Sequence, residues 1–276
     1  MSQRYAEPVS RLITLGEEPA RQRPWPDYPA ELGLDSSHVP ELIRMVVDPE
    51  LRFAASDSTE VFANVHAWRA LGQLRAEAAI EPLLTLLDEA DEFDDEWALE
   101  EIPRALALIG LPAMDPIAER LFDPSRSLYT RVAASETLRR MAVQHEAARG
   151  RAVEALATQL ALYEQNDPTL NGFIVTSLAE LKAVGKAPLI ESAFSADAVD
   201  INIMGDWEDV QIELGLLDER TTPRPRFEYF VPHALPEHAP PEAALAGHQS
   251  HAASSRRKAR RKAAKDSRRK NRRKKK

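Results

Sequence analysis

Fifteen of the twenty-one residues from Arg256 to Lys276 are lysine or arginine. They come in blocks: Arg256-Arg257-Lys258, Arg260-Arg261-Lys262, Lys265, Arg268-Arg269-Lys270, then Arg272-Arg273 and three lysines. Asp266 is the one acid among them, so the segment carries +14. Such side chains attract polyanions and release their condensed counterions. The segment has no aromatic residue on which a base could stack, so it has no means of reading sequence. RNA or a ribosome, held non-specifically, is the expected partner; an acidic protein and a purely solubilising role are the other readings. The absence of Phe, Leu and Trp argues against membrane anchoring through this segment.

A second block has the opposite sign. Nine of the fourteen residues from Asp88 to Glu101 are acids: Asp88, Glu89, Asp91, Glu92, Asp94, Asp95, Glu96, Glu100 and Glu101, with Phe93 and Trp97 interleaved. Asp94 and Asp95 fall near a helix start, where the dipole favours anions. That role accounts for two or three acids and not for nine. The run, Asp88 to Glu96 above all, is a candidate surface for a basic protein partner or for this chain's own basic end. A solvated loop is the plainer alternative. Calcium fits poorly, because the EF-hand loop needs a central glycine that is missing here.

Little else in the chain suggests catalysis. There is no cysteine, which excludes disulfides, thiolate metal sites and thiol chemistry. No Ser-His-Asp spacing, glycine-rich phosphate loop or paired-histidine motif occurs. His145-Glu146 stands alone in a turn. His233, His238, His248 and His251 are scattered through a Pro-rich stretch without the ordered geometry a metal needs. His66 reads as a core-edge histidine bonded to backbone. Asp206 and Asp209 read as a variant capping box. No cofactor and no metal is expected, and the chain is read as a non-enzyme.

The elements that must hold these residues follow from length and pattern. The chain has 276 residues, 20 prolines and a net charge of −8, which averages the basic end with a remainder of −22. No apolar run approaches the roughly 20 residues needed to span a bilayer, and residues 1–23 lack a signal-peptide apolar stretch. A cytoplasmic location is expected. Four zones are legible: a Pro-rich leader, 1–37, with one short helix and Trp25 or Tyr28 packed onto the body; a helical body, 38–217; a Pro-rich linker, 218–255; and a disordered basic tail, 256–276.

The body repeats itself. Glu41, Pro82, Pro116, Ala155 and Pro188 each precede an apolar pair, at spacings of 41, 34, 39 and 33. Proline is tolerated in a helix's first turn, so the slot marks a recurring helix start. A second helix follows each, with its apolar stripe on a 3.6-residue period: Val61–Leu71, Leu99–Ile109, Leu128–Leu138, Leu170–Leu181 and Trp207–Leu217. Gly72, Gly110 and Gly185 stand where helix C-caps should. Asp167-Pro168 reads as an N-cap followed by proline at the first helical position. A helix pair repeating every 33–41 residues is the mark of an all-α solenoid, here of about five pairs.

The period and the run Ala67-Trp-Arg-Ala-Leu-Gly72 resemble HEAT-like repeats, including the type named after phycobilisome lyases. The third repeat comes nearest, with Asp123 eight residues before Arg131-Val-Ala-Ala134. Four stretches, His38–Met45, Val65–Gln73, Asn166–Gly172 and Gly205–Gln211, are similar to a group of bacterial HEAT-like proteins to which no reaction is assigned. Some of that group end in a cysteine-based SEC-C zinc module, which this chain, without cysteine, does not carry. His145-Glu146 resembles one of the His-Glu pairs of HEAT-type deoxyhypusine hydroxylases, but a di-iron site needs several converging pairs. HEAT-type alkylpurine DNA glycosylases need a basic concave face, against which the charge of −22 argues. The resemblance thus implies a HEAT-like α-solenoid. The expected function is a non-enzymatic adaptor that holds a protein on the solenoid and reaches RNA or ribosomes through the tail. The alternative is an enzyme accessory such as a tetrapyrrole-attachment protein. The sequence assigns no oligomeric state.

Overall fold

Asp27, Asp48, Asp95, Ser127, Asp167, Asp200 and Asp206 each use a side-chain oxygen to accept a backbone N–H of a helix's first turn. These caps, with prolines placed in first turns, set where helices begin. The structure is a computed structural model that describes residues 4–93 and 95–224. Its helices are α1 (Glu17–Arg21), α2 (Tyr28–Leu32), α3 (Val39–Val46), α4 (Pro49–Arg52), α5 (Ala63–Gln73), α6 (Ile80–Ala90), α7 (Glu96–Ile109), α8 (Met114–Phe122), α9 (Leu128–Gln144), α10 (Glu146–Leu160), α11 (Pro168–Glu180), α12 (Ala187–Ser195), α13 (Ile201–Met204) and α14 (Trp207–Leu214), with short 3-10 turns between them. No strand occurs among the described residues. The chain divides into two compact units, and the first, Met1–Asp91 with Asp95–Pro225, carries all of these helices. Of the second, Glu92 and Phe93 are described, as part of a turn.

Two rows of helices make the first unit. In one row α5 packs on α7, α7 on α9, α9 on α11, and α11 on α13 and α14. In the other, α3 lies on α5, α6 on α7, α8 and α10 on α9, and α12 on α14. The first row is lined by small buried residues, among them Ala67, Ala70, Ala105, Ala133, Ala134 and Ala179, which let the axes approach. Leu83, Leu87, Leu106, Ile117, Leu121, Leu138, Leu156 and Leu178 fill the space between the rows.

Ion pairs tie neighbouring elements of the second row. Glu81 takes Arg120, Asp88 takes Arg126, Asp115 takes Arg151 and Glu154 takes Lys186. The partners lie 39, 38, 36 and 32 residues apart with the acid first, whereas Arg52–Glu89, 37 apart, and Lys182–Glu213, 31 apart, have the cation first. Exposed pairs of this kind contribute about 0–1 kcal/mol each, so their consequence is register more than stability.

Four local expectations are revised. Gly72 does not cap α5; it lies inside the helix, where an added Cβ would sit 2.9 Å from the Ala105 Cα of α7. Gly185 lies in a 3-10 turn, and the left-handed position after α11 is taken by Lys182, at φ 52°. Gly110 does end α7, at φ 92°. Ala155 marks no helix start: alanine, unlike the prolines of the equivalent slots, permits helix on both sides, and α10 runs unbroken from Glu146. The N-terminal segment holds a 3-10 turn, Val9–Thr14, and two short helices instead of one, and it buries both Trp25 and Tyr28 with Tyr5, Val9, Leu12, Ala20 and Leu34.

Candidate functional site

The acidic run begins in the last turn of α6 and crosses into α7. Asp88 and Glu89 sit at a helix C-terminus, where the dipole disfavours acids, and arginines from other elements answer them. Asp88 pairs with Arg126 and lies 3.8 Å from Arg120 Nε. Burial pushes its carboxyl above the usual carboxylate value, while Arg126 and Arg120 pull it back. Glu89 pairs with Arg52 at 3.0 Å. Asp95 caps α7 by accepting Ala98 N–H at 3.0 Å, and burial raises its pKa. Glu96 opens α7. Asp91 lies in the turn and is half-buried, Glu92 is exposed, and Asp94 lies outside the described residues. Glu100 pairs with Arg23, and Glu101 is fully buried. The run is thus drawn into several places and is not one uniform surface.

Glu101 belongs to a network that pins the N-terminal segment down. On α5, His66, Arg69 and Gln73 share one face at i, i+3 and i+7. Arg69, fully buried, pairs with Glu101 at 2.6 Å and donates to the carbonyls of Ala20 at 2.7 Å and Pro19 at 3.2 Å. Gln73 donates to the Pro26 carbonyl at 2.7 Å and accepts the Tyr28 N–H at 3.0 Å. His66 Nε2 lies 2.9 Å from the Gly16 carbonyl, which can only accept, so Nε2 carries the proton. Its Nδ1 then accepts the Tyr28 hydroxyl at 2.7 Å. Burial holds the imidazole neutral and lowers its pKa to about 4. The expected core histidine is therefore present, with both ring nitrogens used. Trp25 lies beneath two guanidinium groups, those of Arg69 at 4.9 Å and Arg104 at 4.0 Å from the ring centroid.

The remaining candidates have structural partners. His145 ends α9 and sends Nε2 to the Ala107 carbonyl of α7 at 2.9 Å, so its ring is held against α7 instead of standing in a solvated turn. No group of three or more His, Asp or Glu suited to a metal occurs among the described residues. Asp206 and Asp209 form the capping box of α14. Arg220 then folds back on Asp206 at 2.7 Å and Asp209 at 2.9 Å, and Thr221 and Thr222 bond Glu208. Those hydroxyls hold the Glu208 carboxyl down at about 2. Sequence reasoning missed Arg69 and Arg220, and it counted Glu101 in the acidic run without its burial against Arg69. An arginine inside an apolar stripe, as in Ala67-Trp-Arg-Ala-Leu71, was the available signal for the first.

The basic candidates, Arg256, Arg257, Lys258, Arg260, Arg261, Lys262, Arg268, Arg269, Lys270, Arg272 and Arg273, lie outside the described residues, as do the four histidines of the Pro-rich stretch. No helix among the described residues is long and apolar enough to cross a membrane. These features define an all-helical protein of paired helices. Residues 36–226, α3 to α14, match DUF1186, a family of proteins of unknown function, and the chain belongs to that family. No curated protein and no solved structure matches the chain.

Proposed function

We propose that the chain is a non-enzymatic adaptor: a HEAT-like α-solenoid that holds a protein partner, attached to RNA or ribosomes through its basic end. What carries the solenoid reading is the displacement of the ion pairs. Ion pairs recur between residues 31–39 apart along the helical body, Arg52 with Glu89, Glu81 with Arg120, Asp115 with Arg151, Glu154 with Lys186 and Lys182 with Glu213, a displacement that stacked copies of one helix pair would give. Stacked pairs present long surfaces without needing a closed site, which suits protein binding. Of the acidic run, Asp91 and Glu92 have no cationic partner among the described residues and remain for a basic ligand.

Support for the nucleic-acid half comes from the +14 of residues 256–276. The test is RNA binding over a salt series by the full chain and by a chain ending at Arg226, which keeps the Arg220 clasp and the family-matched residues. If about half of the fifteen cations touch phosphates, log affinity should fall against log salt with a slope of about −5 on single strands. Three unrelated sequences should bind alike, and the shortened chain should not bind. A slope near zero, or full binding by the shortened chain, would move the RNA site off residues 256–276.

A further inference from the structure

Residues 16–28 are held to the helical body chiefly by their main chain. Three side chains of α5 make five hydrogen bonds to it: His66 with the Gly16 carbonyl, Arg69 with those of Pro19 and Ala20, and Gln73 with the Pro26 carbonyl and the Tyr28 N–H. Main-chain contacts of this kind accept any sequence that can lie along them. Side chains of the segment supply the selective contacts. Tyr28 gives its hydroxyl to His66, and the exposed Arg23 reaches Glu100 and Glu101 of α7. Trp25 is buried beneath the guanidinium groups of Arg69 and Arg104. Its Nε1 has no acceptor, so the segment fills this place imperfectly. Residues 22–27 have no regular structure, and Arg23 and Trp25 are each followed by proline. A permanent cover needs no charged face beneath it, because apolar side chains in place of a buried ion pair are often neutral or stabilising. Yet His66, Arg69 and Glu101 all lie fully buried under the segment. They fall, with Gln73 and Arg104, within the family-matched residues 36–226, and the segment lies before them.

We propose that this face of α5 and α7 is a peptide-binding groove, that residues 16–28 occupy it as a built-in competitor, and that the partner it takes is a peptide with arginine, proline and an aromatic residue in succession. The class of partner follows from what the groove holds. His66, Arg69 and Gln73 offer donors to carbonyls of an irregular main chain. Glu101 gives one oxygen to Arg69 and the other, together with Glu100, to a second cation. The place beneath the two guanidinium groups suits an aromatic ring. Prolines stiffen such a peptide, so less entropy is lost when it binds. An occupant tethered to its own groove is present at high effective concentration, so a partner enters only by binding more tightly or after the segment is loosened. The groove deepens the protein-binding reading above by naming the partner's chemistry, and it rests on that reading only for its biological use.

The test is fluorescence anisotropy of a dye-labelled, amidated peptide with the sequence of residues 16–28, titrated with the native full chain and with full chains carrying Arg23→Gln or Trp25→Ala. These changes loosen the built-in segment and leave the groove side chains in place. The Arg23→Gln chain should bind the peptide saturably, about threefold to tenfold more tightly than the native chain, and the Trp25→Ala chain more tightly still. If circular dichroism shows the Trp25→Ala chain unfolded, the Arg23→Gln chain carries the test alone. Adding Gln73→Ala to the Arg23→Gln chain should weaken binding about tenfold by removing two hydrogen bonds, which places the peptide on α5. A peptide that itself carries Trp25→Ala should bind at least about tenfold more weakly. In the native chain, excess unlabelled peptide should speed hydrogen exchange at residues 17–25, a readout that a fixed cap would not move. No saturable binding to the Arg23→Gln chain, equal affinity for native and loosened chains, or equal binding of the altered peptide would each overturn the proposal. The peptide is read without any cellular partner, so a groove that binds it while no cellular protein is recovered would refute the adaptor reading alone.

Discussion

Removing Glu101 should be among the most damaging single changes available in this chain. Its carboxylate and the Arg69 guanidinium are both fully buried, 2.6 Å apart. Glu101→Ala would leave a buried cation without its counter-charge, a loss of about 3–5 kcal/mol for such pairs. Arg69 keeps its bonds to the Pro19 and Ala20 carbonyls, which solvate the charge in part, so the lower end, about 3 kcal/mol, is the expected cost. For a body of this size each kcal/mol moves the melting temperature by about 2–4 °C, giving a fall of about 6–12 °C. The paired change Arg69→Met with Glu101→Leu removes both charges and fills the space. It should recover most of the loss, because two desolvated ions give way to apolar contact. Urea unfolding followed by circular dichroism gives both numbers. Hydrogen exchange at residues 17–25 separates local from global effects: the paired variant should be stable overall yet exchange faster there, having lost the Arg69 bonds. A Glu101→Ala cost under about 1 kcal/mol would refute the reasoning, as would a paired variant no better than the single one.

Three further outcomes follow from single contacts. His66 titrates near 4 when folded against an ordinary 6.5, so its neutral form contributes stability that is whole above about pH 6.5 and lost as pH falls towards 4. The loss totals about 3 kcal/mol, and His66→Asn should flatten urea midpoints measured between pH 7 and pH 4.5. Gly72→Ala should destabilise by about 1–3 kcal/mol despite alanine's better helix propensity, because its Cβ would meet the Ala105 backbone at 2.9–3.0 Å; an unchanged melting temperature would show that α5 and α7 can part freely. Asp115→Asn and Glu154→Gln, each removing one exposed ion pair between neighbouring elements, should cost at most about 1 kcal/mol and less at high salt, by urea midpoints in 0.05 and 1 M salt.

Helix type and order were legible because two signals agreed. Prolines and aspartates marked starts, and apolar residues on a 3.6-residue period marked the buried face, so all five stripe helices are present as α5, α7, α9, α11 and α14. Signals failed where one residue type serves two ends. Gly72 looked like a terminator because glycine ends helices, yet it is needed for close approach of α7, a tertiary demand that local sequence does not express. Ala155 aligned with prolines by position but lacks the physical property that made them markers. The N-terminal segment was underread because its buried residues come from short elements with no period to detect. For the candidate site, charge counting found the acidic run but could not say that Asp88 and Glu89 face arginines some 37 residues away in sequence. Arg69 and Arg104 escaped notice because each is unremarkable alone, and they meet over Trp25 only when α5 and α7 pack.

The adaptor account is tested most directly by recovering the full chain and the chain ending at Arg226 from cells, each with and without nuclease. The account predicts a protein that stays with both chains after nuclease, held by the helical body, and ribosomal or RNA-bound material that stays with the full chain alone and leaves on nuclease treatment. Material recovered identically by both chains and untouched by nuclease, or no protein retained by either, would contradict it.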